Sequence, residues 1–202
     1  MSSRDKYGKF KKKDFLHTAK AVRIGLCEKF GYTIMPFLIE TSIQNGALME
    51  FYHYGGASAI FYDYKRFKEV FGRYDFATQK AYAAAITAHE MRHYYQHRQM
   101  TCKRPKEPYQ RLTIWREDEE CGKRVFECDT LQEFVMQPLE LDATLFGYVY
   151  GAKIFQVALL KLIASEEHLN ALEGLYKEYV GETDEEFFGE KVRTALKMRE
   201  NS

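Results

Sequence analysis

"ITAHEMRHYY", residues 86–95, holds His89 and His93 four residues apart, with Glu90 directly after the first histidine. On a helix, residues i and i+4 stand one turn apart on the same face, so both imidazoles can reach one ion. The stretch matches H-E-x-x-H. Its surroundings favour a helix: from Asp75 or Ala77 to Met100 the chain is rich in alanine and free of proline and glycine. The competing reading is an ordinary solvated helix, with "HEMRHYYQHRQ" turned to water.

Zinc suits the pair because it accepts neutral imidazole nitrogen at about 2.0–2.1 Å in tetrahedral geometry. Glu90 is then placed to act as general base on the zinc-bound water. A catalytic zinc takes three protein ligands, so one more is required. His97 continues the histidine stripe, but on an unbroken helix it lies about 12 Å along the axis from His89. It is expected at the surface or the cleft edge, and not on the metal.

The better third ligand lies in "QPLELDATLFGYVYG", residues 137–151. Pro138 is well placed as the first residue of a helix running from Leu139 to about Ala164, with Glu140 in its first turn. Ala143, Thr144, Gly147 and Gly151 share a face with Glu140. The motif helix carries its own small residues, Ala81, Ala84, Ala85 and Ala88. Two helices with small faces can approach closely, bringing a carboxylate to two histidines. Asp142 is the rival ligand, but it points roughly 200° around the helix from Glu140. The expected site is therefore His89, His93 and Glu140 on Zn2+, with Glu90 as base.

Working outward, "YTIMPFLIET", "ALMEFYHY" and "SAIFYDY" read as three short strands before the motif helix, bounded by Asn45-Gly46 and Gly55-Gly56. Pro36 suggests an edge or a bulge. Ahead of them, Asp14 reads as the N-cap of a helix to Phe30, ended by Gly31. After the motif helix, residues 101–129 are charged and contain Pro105, Pro108 and Gly122. "RLTIW" and "RVFEC" there are candidates for a hairpin, and the segment joins both ligand-bearing helices, which suggests a lid. Thr183 to Glu186 resembles a capping box before a final helix. The expected organisation is a basic flexible start (1–13), one α+β domain (14–164) with its insert (101–129), and a helical C-terminal extension (165–202).

With "HEMRH" and "ELDA" both in view, the chain resembles the minimal gluzincin-type zinc metallopeptidases that include the ImmA/IrrE-like proteins. The resemblance implies a zincin-like fold: a small mixed or antiparallel sheet packed on an active-site helix, with a helical C-terminal part. It implies peptide-bond hydrolysis by the four residues named. It also implies an edge strand that pairs with an extended substrate, here Ser58 to Tyr64, with Ala59, Ile60, Phe61 and Tyr62 as contacts. Arg92 stands where the commoner pattern has an uncharged residue. Thr144 replaces a frequent acidic residue, and residues 94–139 make a long gap. Oxyanion donors have four candidates: Tyr148, Tyr150, His168 and Tyr109.

Composition excludes other classes. Thirty basic residues against 29 acidic leave a net charge of +1, which gives no pull toward nucleic acid or anionic membrane. The first twenty residues lack an apolar signal core, and the apolar run 147–164 is broken by Lys153, Gln156 and Lys161. A cytoplasmic chain without a membrane segment is expected, its four cysteines reduced. The partner implied is a protein or peptide substrate; oligomeric state has no signal in the sequence. The alternative function is a non-catalytic interaction or structural protein with a vestigial or fold-stabilising zinc site, and hydrolysis of a non-peptide amide is a third.

Overall fold

The computed structural model describes residues 9–44, 46–122, 127–155, 159 and 164–180. The described elements are α1 (Lys12–Phe30), β1 (Phe37–Glu40), β2 (Met49–Tyr54), β3 (Ala57–Tyr62) and α2 (Tyr64–Phe71). They continue with α3 (Phe76–Thr101), α4 (Tyr109–Cys121), α5 (Leu131–Val135), α6 (Pro138–Phe155) and α7 (Glu166–Val180). The architecture is α+β, with one small sheet and mostly helices.

Local signals explain several boundaries. Asp75 caps α3 by accepting the Thr78 N–H at 2.7 Å. Gly31 ends α1 in the left-handed region, φ 74°. Gly55 and Gly56, φ 58° and 82°, form the tight turn between β2 and β3, where two consecutive positive φ values suit a hairpin. One cap differs from expectation. Asp14 is not the N-cap of α1; the helix starts at Lys12, and Asp14 in its first turn accepts the Lys11 N–H at 2.9 Å.

The sheet is mixed, in the order β1-β3-β2, with β1 parallel and β2 antiparallel to β3. The expected edge strand is thus the central one. Ala59, Ile60, Phe61 and Tyr62 are each paired on both sides, with Phe37–Glu40 and with Met49–Tyr52. Their backbone has no free side for a substrate strand. The inward residues Met49, Ile60 and Tyr62 are buried; Thr87 of α3 reaches Met49, and Phe15 of α1 packs on Tyr62 at 5.5 Å.

Three other expectations change. Phe10, inside the expected flexible start, is buried against Phe67 and Phe76, since the ring gains from leaving water while the flanking Lys9 and Lys11 stay exposed. "RLTIW" is helical within α4, with Leu112 and Trp115 buried; the expected partner "RVFEC" lies largely outside the described residues. Residues 101–129 therefore place a packed helix beside α3 and α6, where Arg116 donates to the Met100 carbonyl at 3.0 Å. α2 has no counterpart in the sequence reading; Asp63, read as strand, caps it by accepting the Arg66 N–H at 2.9 Å. α6 ends at Phe155, short of the expected Ala164, for Leu159 and Ala164 are both outside any helix; the capping box at Thr183 lies outside the described residues. No helix among the described residues is long and apolar enough to cross a membrane.

Candidate metal centre

α3 is enclosed rather than exposed. Ala81, Tyr82, Ala83, Ala84, Ala85, Ile86, Thr87 and Ala88 are all buried in succession, so the turns leading to His89 have no solvated face. This removes the reading of the motif as the outside of an ordinary helix.

α6 crosses α3 at very short range. A Cβ on Gly147 would stand 2.6 Å from the Ala85 carbonyl and 3.1 Å from the His89 Cβ; one on Gly151 would stand 2.8 Å from the Ala85 Cβ. The small residues of both helices form that seam, and only glycine fits at these two places. At its start, α6 begins at Pro138 as expected, and Asp118 of α4 accepts the Leu139 N–H at 2.8 Å. These contacts carry Glu140 to the two histidines.

The resulting geometry is compact. His89 Nε2 and His93 Nε2 are 3.1 Å apart. Glu140 Oε2 lies 3.4 Å from His89 Nε2, and its Oε1 lies 3.3 Å from His93 Nε2. Three donors on one tetrahedral ion at 2.0–2.1 Å would be separated by about 3.3 Å, since the edge is roughly 1.63 times the bond length. Each of the three separations is near that length, the two from Glu140 ending on different oxygens of its carboxylate, one facing each imidazole. Glu90 Oε1 is further out, 3.9 Å from His89 Nε2, and the backbone of Phe51 in β2 favours the charged form of its carboxyl. Among the described residues, His89, Glu90 and His93 form a group able to hold a metal ion.

Each histidine has a partner on its other nitrogen. Thr144 Oγ1 lies 3.5 Å from His89 Nδ1, and Gln96 Oε1 lies 2.8 Å from His93 Nδ1. Metal-ligating histidines commonly have such partners. The side chains of His89 and Glu140 are each 21% exposed, and that of Glu90 is 8% exposed. The centre is therefore shielded, with parts of His89 and Glu140 still reaching solvent.

Electrostatics follow from burial and from this crowding. Burial pushes the Glu90 carboxyl up, and Glu140 adds to the effect against the pull of His89 and His93. Burial alone would lower His93, but the carboxylates of Glu140 and Glu90 and its hydrogen bonds outweigh it and raise it to about 9. Burial would likewise raise Glu140, yet His93 and His89 hold it well below the usual carboxylate range.

The remaining sequence candidates separate. His97 packs against His53, with ring centroids 4.1 Å apart and the rings tilted by 34°, and sits 3.8 Å from Glu119 of α4. Asp142 is buried and turned to Arg92, 2.7 Å from its Nε. Tyr109 is exposed on α4, Tyr148 is buried, and Tyr150 is intermediate. His168 is fully buried on α7; burial and the nearby His89 lower it to about 4, and its Nδ1 accepts the Ala164 N–H at 3.1 Å. Sequence reasoning missed Gln96, although i+3 from His93 is a neighbouring helical position. It also missed β2 as the strand beside Glu90.

Compared with known proteins, this chain matches no family model, no curated protein and no solved structure.

Proposed function

We infer that the chain is a zinc-dependent peptidase of the minimal gluzincin kind, with a zincin-like fold, in which His89, His93 and Glu140 hold the metal. The observation that carries this reading is the residue triangle itself: the two imidazole Nε2 atoms lie 3.1 Å apart, and the Glu140 carboxylate straddles them, one oxygen 3.4 Å from His89 and the other 3.3 Å from His93. Two imidazole nitrogens and one carboxylate are a donor set that zinc prefers. When bound, zinc supplies Lewis acidity and brings the pKa of a water toward 7.

The protein's own groups do the rest. Glu90, beside but outside the triangle, takes the proton from the attacking water and passes it to the leaving amine. Its raised proton affinity suits a group that must both accept and release a proton near neutral pH. β2 is an edge of the sheet, and its Phe51 backbone acts on the Glu90 carboxyl, so an extended peptide could pair there beside the base. Backbone pairing there would be β-augmentation, in the role first assigned to β3.

A fold-stabilising zinc site is the second reading. The partial exposure of His89 and Glu140 favours catalysis, because purely structural zinc sites are closed by four protein ligands. The test is metal analysis of the native chain and of Glu90→Gln, with hydrolysis of an unstructured protein substrate followed in both. Glu90→Gln should keep its zinc and lose cleavage, and Glu140→Ala should lose the zinc. A native chain that binds zinc and cleaves nothing would favour the structural reading.

A further inference from the structure

Each motif contains one charged residue that neither the metal nor the base requires, Arg92 in "HEMRH" and Asp142 in "ELDA". They are partners. Arg92 Nε lies 2.7 Å from Asp142 Oδ2, and Nη2 lies 3.1 Å from Oδ1. The pair is buried, with side chains 8% and 2% exposed. The guanidinium also lies over the rings of Tyr95, Trp115 and Phe146, at 4.6, 5.3 and 5.4 Å from their centroids, and 3.7 Å from Glu107. Two charges withdrawn from water gain little net stability from each other, so stability alone does not explain this arrangement.

What the pair holds is Gln96. Its Nε2 donates to Asp142 Oδ2 at 2.6 Å and to the Leu139 carbonyl at 3.1 Å. Both oxygens act here as acceptors, since the Asp142 carboxylate is paired with Arg92, so the amide nitrogen must face them and the amide oxygen must face His93. That oxygen is 2.8 Å from His93 Nδ1 and can only accept. The proton of a neutral His93 ring is thereby confined to Nδ1. Nε2, the nitrogen turned toward His89 and Glu140, keeps its lone pair.

We propose that Gln96 is a positioning residue: held by the Arg92–Asp142 pair, it fixes His93 in the tautomer that presents Nε2 to the metal. The same amide binds the carbonyl of Leu139, the residue before Glu140, so one side chain aligns ligands on both helices. The inference rests on the metal centre inferred above.

The test uses the full chain loaded with zinc. In the ¹⁵N-labelled wild type, long-range ¹H–¹⁵N correlations should show His93 protonated at Nδ1 and bound to zinc through Nε2. Gln96→Met, of similar length but without the amide, should weaken zinc binding about 10–100-fold in competition with a chelator. Gln99→Met is the structural comparison. It removes another buried glutamine of α3, one that bonds Tyr32 and the Lys106 amide, and should leave zinc affinity unchanged. Coordination through His93 Nδ1, or equal zinc affinity in wild type and Gln96→Met, would overturn the inference and leave the metal centre standing. Equal weakening by both glutamine substitutions would also overturn it. A wild type that binds no zinc would remove the metal centre and this inference together. Should Gln96→Met fail to fold, the wild-type spectrum decides alone.

Discussion

Gly147→Ala tests the close crossing on which the metal centre depends. The added Cβ would stand 2.6 Å from the Ala85 carbonyl oxygen and 3.1 Å from the His89 Cβ. Ordinary contact begins near 3.4 Å, so α6 must withdraw by roughly 0.8 Å or tilt, because a backbone carbonyl cannot rotate away. Overpacking of this kind costs about 1–3 kcal/mol, against which alanine returns up to about 1 kcal/mol of helix propensity. With that offset in full the net loss is about 0–2 kcal/mol, and Tm falls by roughly 2–4 °C for each kcal/mol in a chain of this size. Metal affinity should fall as well, since ligand distances tolerate only about 0.2 Å and Glu140 rides on the displaced helix. Gly174→Ala on α7 is the matched comparison. Nothing lies within 4 Å of its added Cβ, so it should stabilise by about 0.5–1 kcal/mol. Thermal unfolding and chelator competition on both variants read the two effects. Wild-type stability and zinc affinity in Gly147→Ala would refute the argument that glycine is required at this crossing.

The other expectations concern charge. Arg92→Met leaves Asp142 buried without its bidentate partner and should cost about 3–5 kcal/mol; adding Asp142→Asn removes the second charge and should regain most of that in urea melts. Trp115, the single tryptophan, lies 5.3 Å from the Arg92 guanidinium, so its emission should shift in Arg92→Met; identical spectra would place the guanidinium elsewhere. His93 gives a pH dependence to the metal-free protein. Its folded pKa of about 9 lies above the unfolded value near 6.5. The stability it contributes is therefore complete below pH 6.5 and lost as pH rises to about 9. Zinc affinity should move the opposite way over the same span, because the metal needs the unprotonated ring. Melts of chelated protein that are as stable at pH 9.5 as at pH 6 would contradict this.

Much of this molecule is legible in local chemistry. The alanine-rich run before His89, the Asp75 cap, the left-handed Gly31 and the Pro138 start each act within a few residues, so the sequence alone determines α3, the end of α1 and the start of α6. It also determines that His89 and His93 share a helix face, because helical geometry leaves no other arrangement at that spacing. The small faces of α3 and α6 were readable for the same reason, and with them the approach of Glu140.

Tertiary structure decided what depends on partners distant in the chain. β3 is central because β1 returns beside it in parallel, a pairing that no residue of "SAIFYDY" announces. "RLTIW" carries β-branched residues, yet burial of Leu112 and Trp115 against the core makes it helix. Arg92 looked like a mismatch and Asp142 like a rival ligand until the crossing of α3 and α6 joined them, with Gln96 between Asp142 and His93. A single side chain cannot specify its partner across 50 positions of sequence. Only the packing of the two helices leaves these buried polar groups one way to be satisfied, and that packing orients the histidine.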